Sequence, residues 1–337
     1  MSIAKQIFYN ISTWFPMGFL KTISPSTTLM PYHHTVSDQH LPHIAHLYAY
    51  KNVEQFTKDL ELLLTHYEPI TPEDLIEYTN IHNKLPAGKF LLSFDDGFKE
   101  VYEIVAPILK SRGVPAIFFI NPAFINNTSM FYRNKISLLI EEFKNHQEDQ
   151  KIVRAYAEIL NSSGNGSNHI LTKLKSIRTE TDLIDQLAAI TDFSFEEWLK
   201  KHQPYLSSSQ LMELKNQGFT IGAHSWDHPY YSRLTLQDQI KQTVDSCDYV
   251  QEHELSTKRY FSFPHFDAGL SQQTLNMLRK ETTALFGTQN QKLEIYNHVY
   301  HRFNAERPVP EFSKQLKGLL LYMTIQKILG KHKVARL

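Results

Sequence analysis

The 337-residue chain has a single cysteine, Cys247, and no excess of charge of either sign, with 35 basic and 35 acidic side chains. One cysteine excludes an internal disulfide and is typical of a reducing compartment. A balanced charge without a long basic run argues against a dedicated nucleic-acid binder, because such proteins neutralise phosphates with lysine and arginine. We therefore expect no nucleic-acid partner.

Long apolar runs are also missing. No run reaches the roughly 18 apolar residues that a transmembrane helix needs, and the first residues lack the basic region and continuous apolar core of a signal peptide. We therefore expect a cytoplasmic protein. Segments 7–20 and 316–325 are rich in apolar residues, a pattern typical of helices on a core and of helices in a membrane interface. Packing on the core is favoured. Peripheral contact with the inner membrane remains an alternative, and in that case the substrate could be a lipid-linked saccharide.

Short apolar runs alternate with helical patterns along most of the chain, which indicates βα units and a largely parallel sheet. Helical spacing of apolar residues predicts helices over 52–66, from 71 onward and over 101–109. The predicted strands lie near Thr28–Tyr32, Lys89–Phe94, Ala116–Ile120, Thr220–Ala223, Arg259–Phe263, Ala284–Phe286 and Val299–Phe303.

Two blocks carry the residues suited to chemistry. One apolar run ends in Asp95 and Asp96, and a second, about 130 residues later, is followed by His224 and His228. The carboxyl ends of strands are where open α/β sheets and barrels place their chemistry. Aspartate with two histidines suits a divalent metal that keeps an open coordination position, as catalytic zinc does. The alternative, histidines that merely cap strand ends, is disfavoured because buried charged groups without partners are costly.

These blocks, S-F-D-D-G and H-S-x-x-H, resemble those of the polysaccharide deacetylases, the NodB-homology or carbohydrate esterase family 4 group. The helix start H-P-Y-Y-S-R-L-T-L-Q-D-Q-I after the second block is also typical of that family. The early segment Tyr32–Val36 is similar to the Y-H-x-V of the poly-N-acetylglucosamine deacetylase-like branch. The resemblance covers about residues 28–125 and 205–305. It implies an α/β fold, a distorted (β/α) barrel with a helical insertion.

The domain organisation follows from this resemblance and from the helical patterns. We predict an N-terminal helical extension over 1–27, the barrel over 28–128 and 206–310, the insertion over 129–205, and a C-terminal helix over 311–337. The insertion begins after the carboxyl end of the strand predicted over Ala116–Ile120. We therefore expect it to wall or cover the catalytic face.

The resemblance also implies roles for the motif residues. Asp96, His224 and His228 would bind the metal, with Zn²⁺ foremost and Co²⁺, Ni²⁺ or Mn²⁺ as alternatives because their ligand sets overlap. Asp95 would then be the general base that takes a proton from water. Two adjacent carboxylates with different neighbours can divide roles in this way.

The segment Phe261–Phe266 stands where the family carries an aromatic-Arg-aromatic-Pro-aromatic groove motif. Pro264 matches, and the backbone N–H of His265 is expected to help bind the oxyanion of the intermediate. Ser262 stands where many members have the arginine that orients the base. Arg302, at the end of a late predicted strand, is the expected substitute.

The general acid that protonates the leaving amine is usually a late histidine in this family, but no L-x-H motif is present. His298, His301 and His265 are the candidates, and we take His301 and His265 as catalytic. His33 and His34 follow the first predicted strand and are expected either to bind substrate hydroxyls or to be ordinary surface histidines.

Aromatic side chains beside the motifs are candidates to stack on sugar rings, although some are expected to belong to the core. Trp226, Phe98 and Tyr230, with Pro264, form the predicted substrate-binding set. The remaining candidates are Phe124 and Tyr231.

Together these features predict a metal-dependent hydrolase that removes N-acetyl groups from an N-acetylhexosamine-containing glycan or glycan precursor, by attack of metal-activated water with Asp95 as base. The expected setting is the synthesis of a bacterial surface polysaccharide. An O-acetyl carbohydrate esterase with the same centre is the first alternative, and a catalytically silent glycan-binding barrel is the second. The oligomeric state is not predicted.

Overall fold

The computed structural model describes residues 3–25, 28–162, 166–179, 182–294, 298–334 and 336. The chain divides into two compact units. The first comprises residues 1–38, 50–122 and 206–337, and the second comprises 39–49 and 123–205.

Parallel strands form the centre of the first unit. The strands are β1 (Pro31–His33), β2 (Glu68–Pro69), β3 (Lys89–Phe90), β4 (Leu92–Phe94), β5 (Ala116–Ile120), β6 (Thr220–Ala223), β7 (Tyr260–Ser262), β8 (Ala284–Gly287), β9 (Val299–His301) and β10 (Phe303–Asn304). Eight of them make one sheet in the order β10-β1-β4-β5-β6-β7-β8-β9, and β2 pairs with β3 separately.

The sheet nearly closes on itself. Its two edge strands, β9 and β10, are separated in sequence by Arg302 alone; β9 pairs with β8 and β10 pairs with β1. The described strands therefore form a nearly closed parallel barrel, and the predicted distorted (β/α) barrel is confirmed. Strand residues such as Leu92 and Phe94 are buried, as expected for parallel strands covered on both faces.

Helices surround the sheet in the first unit. They are α1 (Ile3–Ser12), α2 (Met17–Ile23), α3 (Val53–His66), α4 (Pro72–His82), α5 (Ala106–Lys110), α11 (Ser208–Asn216), α12 (Leu236–Glu252), α13 (Gln272–Glu281) and α14 (Phe312–Ile328). A π-helical segment, Val101–Val105, leads into α5. Asn52 and Gln55 form a capping box that starts α3, and Pro72 is the first residue of α4, as its sequence predicts.

Within residues 123–205 of the second unit, the described part of the chain is largely helical. Its helices are α6 (Tyr132–Asn145), α7 (Gln150–Ile159), α8 (Ser167–Ser176), α9 (Asp182–Ala189) and α10 (Phe195–His202). The segment 39–49 belongs to the same unit, because Asn134 Nδ2 donates to the His43 carbonyl at 2.8 Å and Ser137 Oγ donates to the Pro42 carbonyl at 2.6 Å. The predicted domain boundaries and the expected position of the insertion over the catalytic face stay predictions.

Several predicted elements are divided in the structure; the expected strand Val299–Phe303 becomes β9 and β10, with Arg302 between them. The expected strand over 89–94 is split at Leu91, because β3 pairs with β2 while Leu91 itself donates to the Leu29 carbonyl. The apolar segment 7–20 is not one helix, because Pro16 has no amide hydrogen and stands between α1 and α2. None of the described helices combines the length and hydrophobicity needed to cross a bilayer.

Candidate active site

The predicted site residues follow the carboxyl ends of neighbouring strands. Asp95 and Asp96 follow β4, His224 follows β6, and His265 lies three residues beyond β7. Asp96 and Gly97 adopt left-handed backbone conformations, with φ of 72° and 65°, and so turn the chain sharply at the end of the strand.

Asp96, His224 and His228 lie together. Each offers a ligand atom within 4.8 Å of the other two. Asp96 Oδ1 is 3.2 Å from His228 Nε2 and 3.5 Å from His224 Nε2, and all three residues are buried. This oxygen makes no geometrically acceptable hydrogen bond within the described part of the chain. A carboxylate oxygen and two imidazole nitrogens that face one another in a buried site fit a divalent metal.

Contacts behind the histidines fix their orientation. His224 Nδ1 lies 2.9 Å from the Ser262 carbonyl oxygen, which leaves Nε2 directed at Asp96. Ser225 Oγ accepts a hydrogen bond from the backbone N–H of His228 at 3.1 Å. Asn121 Nδ2 donates to the carbonyl oxygens of His224 and Ser225. Partners of this kind set the tautomer and the direction of metal-binding histidines.

Asp95 is held by Arg302. The guanidinium donates from Nη1 to Asp95 Oδ1 at 2.7 Å and from Nη2 to Oδ2 at 2.8 Å, and both residues are buried. It also donates to the hydroxyls of Ser93, at 2.9 Å, and Ser262. The predicted pairing of Asp95 with Arg302 therefore has the geometry of a bidentate ion pair.

The local charges shift the ionisation of the site. Burial alone would raise the pKa of Asp95, but the Arg302 charge holds it below the ordinary value. Burial likewise opposes ionisation of Asp96, but His228, His34 and His224 together outweigh it and lower the pKa of that carboxyl. Burial lowers the pKa of His224 to about 4. His224 is therefore neutral at neutral pH, the state in which imidazole binds metals.

His265 lies beside His228 at the rim of the site. Its ring stacks on Tyr230, with centroids 3.7 Å apart and planes 8° from parallel, and meets the His228 ring edge-on at 4.4 Å. His265 has a left-handed backbone, with φ of 57°. Tyr230 therefore supports the His265 ring, so at most one face of Tyr230 is left for a sugar.

The remaining predicted substrate-binding residues differ in exposure. Trp226 is 40% exposed and open to a ligand. Phe98 is only 1% exposed, so the expectation that it stacks on a sugar does not fit its place in the core. Pro264 is buried. Phe124 and Tyr231 are also core residues, at 5% and 1% exposure.

Two of the general-acid candidates have other partners. His301 directs Nε2 at Glu294, 3.3 Å away, and Nδ1 at Asp267, 3.8 Å away, with all three side chains buried. His298 precedes the amino end of β9, whereas Asp95 follows the carboxyl end of β4, so the two lie at opposite ends of the parallel strands. The Nε2 of His298 lies 2.7 Å from the Thr282 carbonyl oxygen. The structure thus places neither histidine in contact with the Asp96 cluster.

His34, which the sequence offered only as a hydroxyl-binding or ordinary surface histidine, lies just beyond β1 and contacts Glu306. Its Nδ1 lies 2.8 Å from Glu306 Oε2, and Glu306 Oε1 accepts its backbone N–H at 3.0 Å. Burial opposes protonation, but Glu306 raises the pKa of His34 to about 9, and Asp96 and Asp95 contribute in the same direction. His33, in contrast, is packed between Phe56 and Phe94. Nothing in the local sequence around His33 and His34 indicates which of them packs in the core and which contacts Glu306.

The sequence model of the polysaccharide deacetylase family matches residues 82–282, a range that contains both the S-F-D-D-G and the H-S-x-x-H motif. The chain belongs to the polysaccharide deacetylase family. It is therefore a carbohydrate deacetylase, an enzyme that acts on acetylated glycans. A sequence comparison with curated proteins found no significant match.

Solved structures of deacetylases share the fold. The deacetylase PplD of Streptococcus pyogenes, solved with acetate, has 15% identity and a TM-score of 0.57, and the match covers 88% of this chain and 99% of PplD. IcaB from Ammonifex degensii has 16% identity and a TM-score of 0.54, covering 88% and 98%. The de-N-acetylase from Aggregatibacter actinomycetemcomitans has 13% identity and a TM-score of 0.52, covering 86% and 99%. At these identities the likeness shows the barrel fold of this deacetylase.

Proposed function

We propose that this deacetylase removes N-acetyl groups from an N-acetylhexosamine-containing glycan, with a divalent metal, Zn²⁺ foremost, at Asp96, His224 and His228. The observation that carries the proposal is the buried convergence of these three ligand atoms, with Asp95 Oδ2 3.9 Å from His224 Nε2. A bound metal would supply a more acidic water and polarise the acetyl carbonyl.

Asp95 is proposed as the general base. Arg302 occupies both of its oxygens, keeps the carboxylate ionised and fixes its direction, so that it accepts a proton without rotating. The backbone N–H of His265 is proposed to donate to the oxyanion. Trp226, exposed at the same edge of the sheet, is proposed to contact the glycan.

We propose His34 as the general acid. Glu306 holds one ring nitrogen and keeps the imidazole protonated at neutral pH, as a proton donor to a departing amine requires. His301 remains the competing candidate from the sequence. The variants His34→Asn and His301→Asn distinguish them on two substrates, an N-acetylated glycan and 4-nitrophenyl acetate, whose leaving group departs without a proton. Loss of activity on the glycan but not on the ester is expected for His34→Asn only; the same selective loss in His301→Asn would favour His301.

The function is tested by acetate release from a panel of N-acetylglucosamine-containing glycans after loading with zinc. Asp95→Asn is expected to lower the rate by about 10²–10⁴-fold, because the general base is removed. The matched control is Asp245→Asn, which changes a partly exposed aspartate paired with Lys241 on α12 and is expected to leave the rate unchanged. Release from O-acetylated sugars alone would instead support the esterase alternative, and equal rates for wild type and Asp95→Asn would contradict the role of Asp95.

The place of action is proposed to be the cytoplasm, with a precursor of a surface polysaccharide as substrate. The proposal rests on the sequence, which has one cysteine. Cell fractionation tests it, since recovery of the protein from the periplasm would contradict it.

A further inference from the structure

We infer that Arg336 and Asp267 are positioning residues, which hold in place the loop that presents the His265 backbone N–H. The inference deepens the proposed function, because it rests on the role proposed there for this N–H as a donor to the oxyanion. Asp267 lies two residues beyond His265, in the loop after β7. The His265 backbone is left-handed, with φ of 57°, and a residue other than glycine keeps this costly conformation only where surrounding contacts impose it.

Arg336 binds both the backbone and the side chain of this loop. Its Nη1 donates to the Asp267 carbonyl oxygen at 2.6 Å, and its Nη2 donates to Asp267 Oδ2 at 2.6 Å. Its Nε and Nη2 also donate to Glu294 Oε2, at 2.9 and 2.7 Å. The three side chains are at most 1% exposed, so solvent screens these charge-assisted contacts little.

The segment that carries Arg336 is itself fixed beside Glu294. Leu293 donates its backbone N–H to the His332 carbonyl oxygen at 2.9 Å, and Val334 donates its own to the Leu293 carbonyl oxygen at 2.9 Å. The guanidinium therefore reaches the loop after β7 from a backbone that is already paired with the residues after β8.

The Asp267 carboxylate joins the loops after β7 and β8. Its Oδ1 accepts the backbone N–H of Thr288 at 2.8 Å. Burial raises the pKa of Asp267, but His301, the Thr288 N–H and Arg336 together outweigh it and lower the pKa, so this group is an anion at neutral pH. A methyl group on Gly287 would clash with His301 Nδ1 and lie 2.8 Å from Asp267 Oδ1, so the carboxylate has no room to move toward β8.

These contacts give His301 a supporting role in place of proton donation. Its Nε2 faces Glu294 at 3.3 Å and its Nδ1 faces Asp267 at 3.8 Å, and its side chain is 0% exposed. Both ring nitrogens are thus directed at carboxylates of the protein. A general acid acts only where the leaving group needs a proton, whereas displacement of the oxyanion donor slows every acyl transfer at the site. Two substrates therefore separate the roles.

Arg336→Gln tests the inference on an N-acetylated glycan and on 4-nitrophenyl acetate. Its kcat should fall by the same factor on both, about 10–10²-fold, because both reactions pass through an oxyanion whose donor has moved. KM should change by less than about twofold, since this donor acts in the transition state. Arg336→Lys keeps the charge but loses the planar fork, and should recover part of the rate.

Arg259→Gln is the matched control. It removes an arginine that pairs with Asp248 at 2.5 Å just before β7 begins, and it should leave both rates unchanged. Hydrogen exchange followed by mass spectrometry reports the loops directly. Residues 263–270 and 286–290 should exchange faster in Arg336→Gln, because the Thr288 N–H loses a fixed acceptor, but not in Arg259→Gln.

Thermal unfolding shows whether Arg336→Gln is folded. If it is not, Gly287→Ala decides the matter, because it keeps every charged group yet displaces Asp267 and His301, and it should reproduce the equal loss on both substrates. Unchanged exchange over 263–270, an equal loss in Arg259→Gln, or a loss on the glycan alone would each refute the inference. A wild type that hydrolyses the ester but no N-acetylated glycan would instead contradict the proposed function, and the ester rates would still decide whether Arg336 positions the loop.

Discussion

Replacing Arg302 by methionine should destabilise the fold strongly. The guanidinium makes two hydrogen bonds to Asp95 and one each to the hydroxyls of Ser93 and Ser262, and its side chain is 1% exposed. Methionine fills a similar space but leaves the Asp95 carboxylate buried without its counter-charge. Removing one partner of a buried ion pair typically costs about 3–5 kcal/mol.

Urea unfolding followed by tryptophan fluorescence measures this effect. With an unfolding slope of about 3 kcal/mol per molar urea, a loss of about 4 kcal/mol lowers the midpoint by more than 1 M. Arg302→Lys keeps the positive charge but loses the bidentate geometry. Its unfolding midpoint should therefore lie between those of wild type and Arg302→Met. Arg154→Met is the control for loss of an exposed arginine and should leave the midpoint unchanged.

The double variant Arg302→Met/Asp95→Asn separates the ion pair from packing. Because the asparagine carries no charge, the double variant should be more stable than Arg302→Met alone. If Arg302→Met unfolds at the wild-type urea concentration, or if Asp95→Asn gives no recovery, the buried ion pair is not what stabilises this region and the reasoning is refuted.

Three further predictions concern other groups. Burial raises the pKa of Glu100 to about 7 from an ordinary value of 4.5, so the folded state favours its protonated form and stability falls as pH rises between these values. Glu100→Gln should therefore match wild type at pH 4 and exceed it by about 3 kcal/mol at pH 8 in urea unfolding, and equal stability at both pH values would contradict this. Arg336→Met should lower the melting temperature, because the buried carboxylates of Asp267 and Glu294 both bind this guanidinium; an unchanged melting temperature would show that the pairs are not stabilising. Zinc at a hundredfold excess over its dissociation constant should stabilise wild type by about 2.7 kcal/mol but not Asp96→Asn, and an equal gain in both would place the metal elsewhere.

The strands that flank the site could be predicted because their signals are local. The predicted bounds of β5 and β6 agree with the structure. The signal is clearest for β5, an uninterrupted apolar run bounded by Pro115 and Asn121, as expected for a buried parallel strand. The proximity of Asp95 and Asp96 to His224 also follows from sequence, because the carboxyl ends of parallel strands share one edge of a sheet. What is not local was missed, such as the membership of segment 39–49 in the second unit.

The contact between His34 and Glu306 shows why part of the site could not be predicted. These residues are 272 positions apart, and they meet only because β1 pairs with β10, with Tyr32 opposite Asn304. Register between strands that are distant in sequence depends on how the barrel closes. The residue spacing within β1 or within β10 does not indicate how these two strands align.

Barrel closure and the proposed base are connected through Arg302. Ser262, at the position where the sequence resemblance implies an arginine, cannot neutralise Asp95, but its hydroxyl accepts a hydrogen bond from Arg302. Arg302 lies between the two edge strands of the sheet, β9, which pairs with β8, and β10, which pairs with β1. The cation therefore reaches Asp95 only when both strand pairings have formed. A change that loosens β10 from β1 should then impair catalysis through Asp95 even though it touches neither the base nor the metal ligands.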